Sequence, residues 1–384
     1  MKTLDAEVLR GTLSRWLDAR IADATLAGGE VLVMQCGERL CHIVKGVADV
    51  RTGRRIEPNA FYRLASMTKP ITGLAALIAV GKGLFSLDDE VRRHLPQFGE
   101  MDVAVIRDGK VVRDHKARSE LKIWQMLCHV NGILAETEVG TRLMAAAPRS
   151  AFGSIAGMLD YAASQPLAFD PGERTAYTGY ASFDAIARII EEKSGVAYSE
   201  FLQREIFDPL GIRDITFHPT PGQWRRMVTM HDRLTAGRLV AVDMPEGSIF
   251  EGFGPAYECA GAGLAGCVED YAKIAQLLCN GGNLDGVEIV QPGLFGELAR
   301  PRVPDGVPGR SPNDSWGLGV RVKVRADWLP VGAFGWSGAY GTHFWVDPAN
   351  RIVAILLRNM RWHDTHGAGR MGEEFEQNVM RCAR

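Results

Sequence analysis

The apolar and polar positions of this chain change period along its length, and the changes mark its elements. From Met1 through Asp5, Glu7 and Arg10 to Trp16 and Asp18, charged and apolar residues interleave, which predicts an amphipathic helix. Residues 31–36 and 40–44 are short β-type runs on either side of Gly37-Glu38-Arg39, the pattern of a hairpin. Leu74, Ala75, Ala76, Leu77, Ile78 and Val80 read as a buried helix. A small surface hairpin is predicted from 103–106 and 111–113 about Asp108-Gly109. The middle of the chain, from Leu87 to about His218, is mostly helical in pattern.

Strand-like runs return at 317–324, 340–346 and 352–357, the last two joined by Asp347-Pro348-Ala349-Asn350. A closing helix is predicted over about 369–380. Strands at both chain ends around a helical block imply one antiparallel sheet built from both termini, an α+β fold.

Chemistry enters at Ser66-Met67-Thr68-Lys69. A serine hydroxyl is a poor nucleophile until a neighbouring base takes its proton. On a helix, residues three apart share a face, which brings the Lys69 amine within reach of Ser66. Pro70 is tolerated best in a first turn, so Ser66 belongs near a helix start, where free N–H groups and the positive dipole end favour a developing anion. The same spacing recurs at Ser119-Glu120-Leu121-Lys122, where a helix N-cap or exposed turn suffices.

Ser66 needs partners from elsewhere. Pro171-Gly172 marks a turn, and Ala181, Phe183, Ile186, Ile189 and Ile190 predict a helix ending near Gly195. Tyr177 therefore sits on a loop feeding a helix, from which a phenol can point into a cleft; packing in the core is the alternative. In Phe334-Gly335-Trp336-Ser337-Gly338-Ala339-Tyr340-Gly341, small residues at 337–339 let a backbone approach a ligand closely. Trp336 fits either a substrate contact or strand packing.

These stretches resemble, in order, the Ser-x-x-Lys, Tyr-x-Asn and Lys-Thr-Gly elements of the serine β-lactamase and penicillin-binding protein superfamily. The chain looks most like its carboxylesterase branch, the family VIII esterases, which are class C β-lactamase-like. Met126-Leu127-Cys128-His129-Val130-Asn131-Gly132 and Pro209-Leu210-Gly211-Ile212-Arg213-Asp214 extend the likeness, which spans residues 62–341. It implies a sheet lobe from residues 1–83 and 219–384, a helical lobe from 84–218, and a site in the cleft between them. It implies catalytic roles for Ser66, Lys69 and Tyr177, and an oxyanion hole from the backbone N–H groups of Ser66 and Ala339. Trp336, Ser337, Gly338 and Gly179 are the implied substrate-binding positions. Gly179 replaces the asparagine that holds the substrate amide in lactamase relatives, and Trp336 replaces a lysine that anchors the substrate carboxylate. Site polar groups are what discriminate such substrates. A serine carboxylesterase on short-chain neutral esters is therefore expected, ahead of a β-lactamase or D-amino-acid peptidase, and ahead of a non-catalytic binding domain.

Composition adjusts this picture little. The 384 residues are 46% hydrophobic, enough for a substantial core in two lobes. A net charge of −2 gives no reason to expect nucleic acid or acidic membranes as partners, and no run is long and apolar enough to suggest a membrane span. Seven cysteines show no metal-ligand spacing and are odd in number. Together with an N-terminus lacking a signal-peptide core, they imply reduced thiols in the cytoplasm. No cofactor or metal is called for, and the expected partner is a small ester. Gly261-Ala262-Gly263-Leu264-Ala265-Gly266 fits a dinucleotide fingerprint but lacks a preceding apolar strand, so a loop beside the site is expected. His363-Asp364-Thr365-His366 is a polar cluster with no further ligand nearby. His129 and His343 could suggest a Ser-His-Asp base, but no Gly-x-Ser-x-Gly elbow exists, and His129 is expected to bond structurally in its turn.

Overall fold

The computed structural model describes residues 2–234, 237–244, 247–361 and 370–384. Its first helix, α1 (Ala6–Ala22), starts where Asp5 accepts hydrogen bonds from the Glu7 and Val8 amides at 3.1 and 3.0 Å. Such a cap contributes about 1 kcal/mol. Leu9, Leu13 and Leu17 lie four residues apart, so they share one face, and all three are fully buried.

That face covers an eight-stranded sheet. Its strands are β1 (Gly28–Gln35), β2 (Glu38–Asp49), β3 (Arg54–Arg55), β4 (Asp314–Trp316), β5 (Arg321–Lys323), β6 (Phe334–Ser337), β7 (His343–Asp347) and β8 (Ile352–Arg358). They run in the order β4-β5-β6-β7-β8-β1-β2-β3, each antiparallel to its neighbour, so the two chain ends meet where β1 pairs with β8. The β1–β2 turn has positive φ at both Cys36 and Gly37, the backbone that a two-residue hairpin with native twist requires.

Alternation along the strands builds two cores. Val31, Val33, Trp345, Ala354 and Leu356 join α1 and the last helix, α5 (Met371–Met380), on one face. Leu32, Phe344, Val346, Val353, Ile355 and Leu357 belong to the larger core on the other, with α2 (Thr68–Gly81), α3 (Ala181–Ser194) and α4 (Val268–Cys279). Each such side chain contributes about 1.5–3 kcal/mol by leaving water. Helix α2 is buried from Thr68 to Ala79, and a Cβ on Gly73 would stand 2.1 Å from the Leu318 carbonyl oxygen. That close approach fixes the helix against the loop before β5.

The helical reading of the middle holds only in part. Helices Glu138–Ala145, Ile155–Ser164 and α3 are present, but so is the expected hairpin, Asp102–Arg107 with Lys110–Lys116, and long loops join them. The strand expected at 317–324 shortens to β5 because Gly319 turns the chain with φ +75°, its would-be Cβ 2.5 Å from the Lys69 carbonyl oxygen. The strand expected from Tyr340 begins instead at His343, since Gly341 (φ +81°) closes a turn on Gly338. The closing helix begins, among the described residues, at Met371. No helix among them is long and apolar enough to cross a membrane.

Candidate active site

Ser66 stands on a single 3₁₀ turn, Ala65–Met67, that runs directly into α2. Ala65 has φ +48°, an uncommon angle for a residue with a side chain, so the backbone bends sharply just before Ser66. Lys69, in the first turn of α2, is fully buried with its Nζ 3.4 Å from Ser66 Oγ. The same nitrogen donates to the carbonyl oxygens of Gly179 (2.8 Å) and Gly261 (2.9 Å). Two carbonyl acceptors use two N–H groups, leaving the third position on nitrogen aimed at Ser66.

The Tyr177 hydroxyl donates to Ser66 Oγ at 2.6 Å. Its ring lies 4.8 Å from Lys69 Nζ, as does that of Phe183 on α3. From β6 the Trp336 indole N–H donates to the Tyr177 oxygen at 3.3 Å, and Trp316 packs edge-on against Trp336. One phenol oxygen thus touches both Ser66 Oγ and an indole donor.

Gly338 brings the end of β6 against the turn that carries Ser66. A Cβ there would lie 2.3 Å from the Leu64 carbonyl oxygen and 2.2 Å from Thr342 Oγ1, so only glycine permits the approach. The next residue, Ala339, lines the same cavity as Ser66. Among the described residues, neither the Ser66 nor the Ala339 backbone N–H donates to another group of the chain. Two free amides beside a serine hydroxyl are the parts from which an oxyanion hole is made.

The cavity holds about 530 Å³. Of the residues singled out from sequence, Ser66, Tyr177, Gly179 and Ala339 line it. Trp336, Ser337 and Gly338 stand behind that lining: Trp336 on Tyr177, Ser337 hydrogen-bonded to His343 Nδ1 at 2.8 Å, Gly338 on Leu64. Sequence reasoning did not single out the wall, which includes Ile133, Leu134, Met144, Tyr180, Phe250 and Glu136. Glu136 is tied in through its backbone, whose N–H donates to the Tyr177 carbonyl at 2.7 Å. Burial raises its carboxyl pKa, and the Lys69 charge opposes the rise.

Neither histidine bonds to Ser66. His129 is buried in its turn, φ +58°, with Nδ1 accepting from the Thr178 amide (3.1 Å) and paired with Thr178 Oγ1 (2.8 Å). Burial, with the Lys69 charge, pushes its imidazole well below the usual value, and its ring supports Tyr177 at 4.6 Å. His343 faces Glu376 on its other side, at 3.1 Å. Ser119 Oγ donates to the Pro171 carbonyl, away from this site. Gly261 lies beside the site, its carbonyl on Lys69 and its would-be Cβ 2.3 Å from the Gly179 oxygen. Behind it Asp184 of α3 accepts from the Tyr257 hydroxyl and, at 2.8 Å, from the Ala260 amide; burial pushes this carboxyl up to about 7. The cluster 363–366 lies outside the described residues.

A helix-start serine held by a buried lysine and a tyrosine, beside a sheet built from both chain ends, is the plan of a penicillin-recognising serine hydrolase. The chain belongs to the Beta-lactamase family, whose model matches residues 13–366. Esterase EstB of Burkholderia gladioli is 28% identical over 95% of this chain and 94% of its own length. Among solved structures, EstCE1, described as a hydrolase with promiscuous acyltransferase activity, superposes with a TM-score of 0.79 at 22% identity, covering 98% of both chains. A family VIII carboxylesterase superposes with a TM-score of 0.71 at 17% identity, covering 97% of both. The expected α+β penicillin-recognising fold and the likeness to the carboxylesterase branch are borne out.

Proposed function

We propose that this protein is a serine carboxylesterase that hydrolyses short-chain neutral esters through an acyl-enzyme on Ser66. The carrying observation is the convergence of Tyr177 at 2.6 Å and Lys69 at 3.4 Å on one serine oxygen at the floor of a mainly apolar cavity. The esterase relative supports ester hydrolysis in general. In the proposed reaction Ser66 Oγ attacks the ester carbonyl carbon as its proton passes to Lys69 or Tyr177. The carbonyl oxygen becomes an oxyanion held by the Ser66 and Ala339 amides. Collapse breaks the bond to the alcohol, which leaves with the proton. Water then attacks the acyl-enzyme by the reverse route and frees the acid.

The restriction to neutral esters rests on what is missing near Ser66. Gly179 offers no amide, although a Cβ there would meet nothing within 4 Å, and the position taken by a lysine in lactamase relatives carries Trp336. A β-lactam carboxylate would find no cation among the described residues that line the cavity. We take residues 1–83 with 219–384 as one lobe and 84–218 as the other, a reading supported by the turn before α2 and the chain just after β6 supplying Ser66 and Ala339 against loops that carry Tyr177 and Glu136. Seven free cysteines support action in the cytoplasm.

The test is a panel of p-nitrophenyl esters, nitrocefin and D-alanyl peptides with purified protein and a Ser66→Ala control. Acetyl to butyryl esters should be hydrolysed well and nitrocefin poorly. A nitrocefin kcat/KM equal to that for p-nitrophenyl butyrate would replace this reading with the β-lactamase one.

A further inference from the structure

The cavity wall carries a combination that ester hydrolysis by itself does not call for. Glu136 is the one charged side chain among the described residues that line it. Its carboxylate has no hydrogen-bond or ion-pair partner among the described residues, whereas Glu138, two residues on, pairs with Arg142 at 2.9 Å. The Glu136 backbone is anchored to Tyr177, so the carboxylate is held at the site while still reaching water. Facing the same space are the rings of Tyr180 and Phe250, whose centroids lie 6.0 Å apart in an edge-on pair. Phe250 also stacks on Phe253 at 4.9 Å and packs at a tilt on Tyr340 at 4.7 Å, which ties that wall to neighbouring rings. Aliphatic Ile133, Leu134 and Met144 complete the lining.

A carboxylate with no hydrogen-bond partner and aromatic rings lining one cavity are the chemistry that recognises an alkylated ammonium group. The carboxylate neutralises the cation, an aromatic ring adds attraction where its π-face is reached, and the apolar wall takes its methyl groups. The same charge repels a carboxylate, because like charges brought together at a partly desolvated site are strongly disfavoured. Building in repulsion against the wrong ligand is a common route to selectivity.

We propose that Glu136, with Tyr180 and Phe250, forms a subsite for a quaternary or alkylated ammonium group carried by the ester substrate, and that Glu136 sets the order cationic over neutral over anionic. This rests on the esterase reading of Ser66 and extends it from neutral esters to cationic ones, which it places first. The ammonium group can sit on the acyl or the alcohol side of the ester, and the two arms of the test separate them.

Each arm compares a cationic ester with its neutral isostere, in which carbon replaces nitrogen. On the acyl side the pair is the p-nitrophenyl esters of 4-(trimethylammonio)butanoate and 5,5-dimethylhexanoate. On the alcohol side it is butyrylcholine and 3,3-dimethylbutyl butyrate. In at least one pair the cationic member should have a kcat/KM higher by about tenfold, the scale of one partly screened charge contact. Glu136→Gln should bring that ratio to within about twofold of unity, Glu136→Asp should keep part of it, and Glu136→Lys should invert it. A ratio near unity in both pairs for the wild type, or one unmoved by Glu136→Gln, overturns the subsite. If the wild type hydrolyses none of the four esters, the esterase reading fails instead. The subsite is then judged by calorimetry on Ser66→Ala, where choline must bind more tightly than 3,3-dimethylbutanol and lose that advantage in Ser66→Ala/Glu136→Gln. Equal binding of the two alcohols overturns it.

Discussion

At the floor of the cavity the reactive atoms are pinned from several sides. Lys69 Nζ contacts two carbonyl oxygens and Ser66, and Tyr177 contacts Ser66 and an indole N–H. At the rim Glu136 is held by its backbone, and its carboxylate has no hydrogen-bond or ion-pair partner among the described residues. The contrast follows from what each region has to do. Groups that act on a developing charge must be in place before the reaction, because reorganising them would cost the energy they supply. Groups that choose a substrate must keep an unspent interaction for it. Floor variants should therefore lower kcat for every ester alike, and rim variants should change the ratio between esters.

The largest effect is expected at the floor. Lys69→Ala and Tyr177→Phe should each lower kcat by at least ~10²-fold with the fold intact by circular dichroism, the usual scale for acid–base groups. Near-normal turnover in Tyr177→Phe would remove that residue from the mechanism.

Next comes the oxyanion hole. Ala339→Pro deletes an amide donor and should lower kcat by roughly 10²-fold, since one such donor is typically worth about 3 kcal/mol, whereas Ala339→Ser keeps the donor and should remain active. Gly338→Ala tests the same edge by steric means, because its Cβ would collide with the Leu64 oxygen. Equal activity in Ala339→Pro and Ala339→Ser would show that the oxyanion is held elsewhere.

A smaller change is expected at Trp336. Trp336→Phe keeps a ring on Tyr177 but removes the N–H at 3.3 Å, so kcat should fall about two- to tenfold for all esters, the scale of one hydrogen bond. A change confined to one acyl chain length would instead make Trp336 a rim residue and blur the comparison.

The smallest effect on turnover is expected behind the floor, at Asp184. Its carboxyl pKa is raised to about 7 when folded, from an ordinary value near 4 when unfolded, because burial disfavours its charge. The folded state therefore holds this proton more tightly, and the contribution to stability is present below about pH 4 and lost as pH rises toward 7. Asp184→Asn should remove that loss. Its Tm relative to wild type should rise between pH 5 and pH 8, and a constant difference across the range would contradict the assignment.

The floor was legible in the sequence because its chemistry is local and ordered. Ser66 and Lys69 share one turn, Pro70 marks a helix start, and Tyr177 follows a Pro-Gly turn into a helix. The first hairpin was legible because strand alternation has period two and Gly37 supplies the turn. The rim was not. Glu136 looks like any solvated acidic residue until folding turns the 128–137 loop over Ser66, and Phe250 comes from a distant loop with no periodicity of its own. The strand starts at 317 and 340 were misplaced because residues such as Gly319 and Gly341 turn the chain for reasons of close approach that a hydropathy pattern does not carry. His343 was legible as a candidate base, but its bond to Ser337 depends on the β6–β7 register.

The central claim, that the floor makes Ser66 the nucleophile, is tested most directly by mapping the covalent adduct. Protein treated with a fluorophosphonate or a slowly deacylating butyryl ester should show, by mass spectrometry of its peptides, a single modification on the peptide that carries Ser66, and none in Ser66→Ala. A modification on the peptide carrying Ser119 or Ser337, or one that persists in Ser66→Ala, would contradict the account.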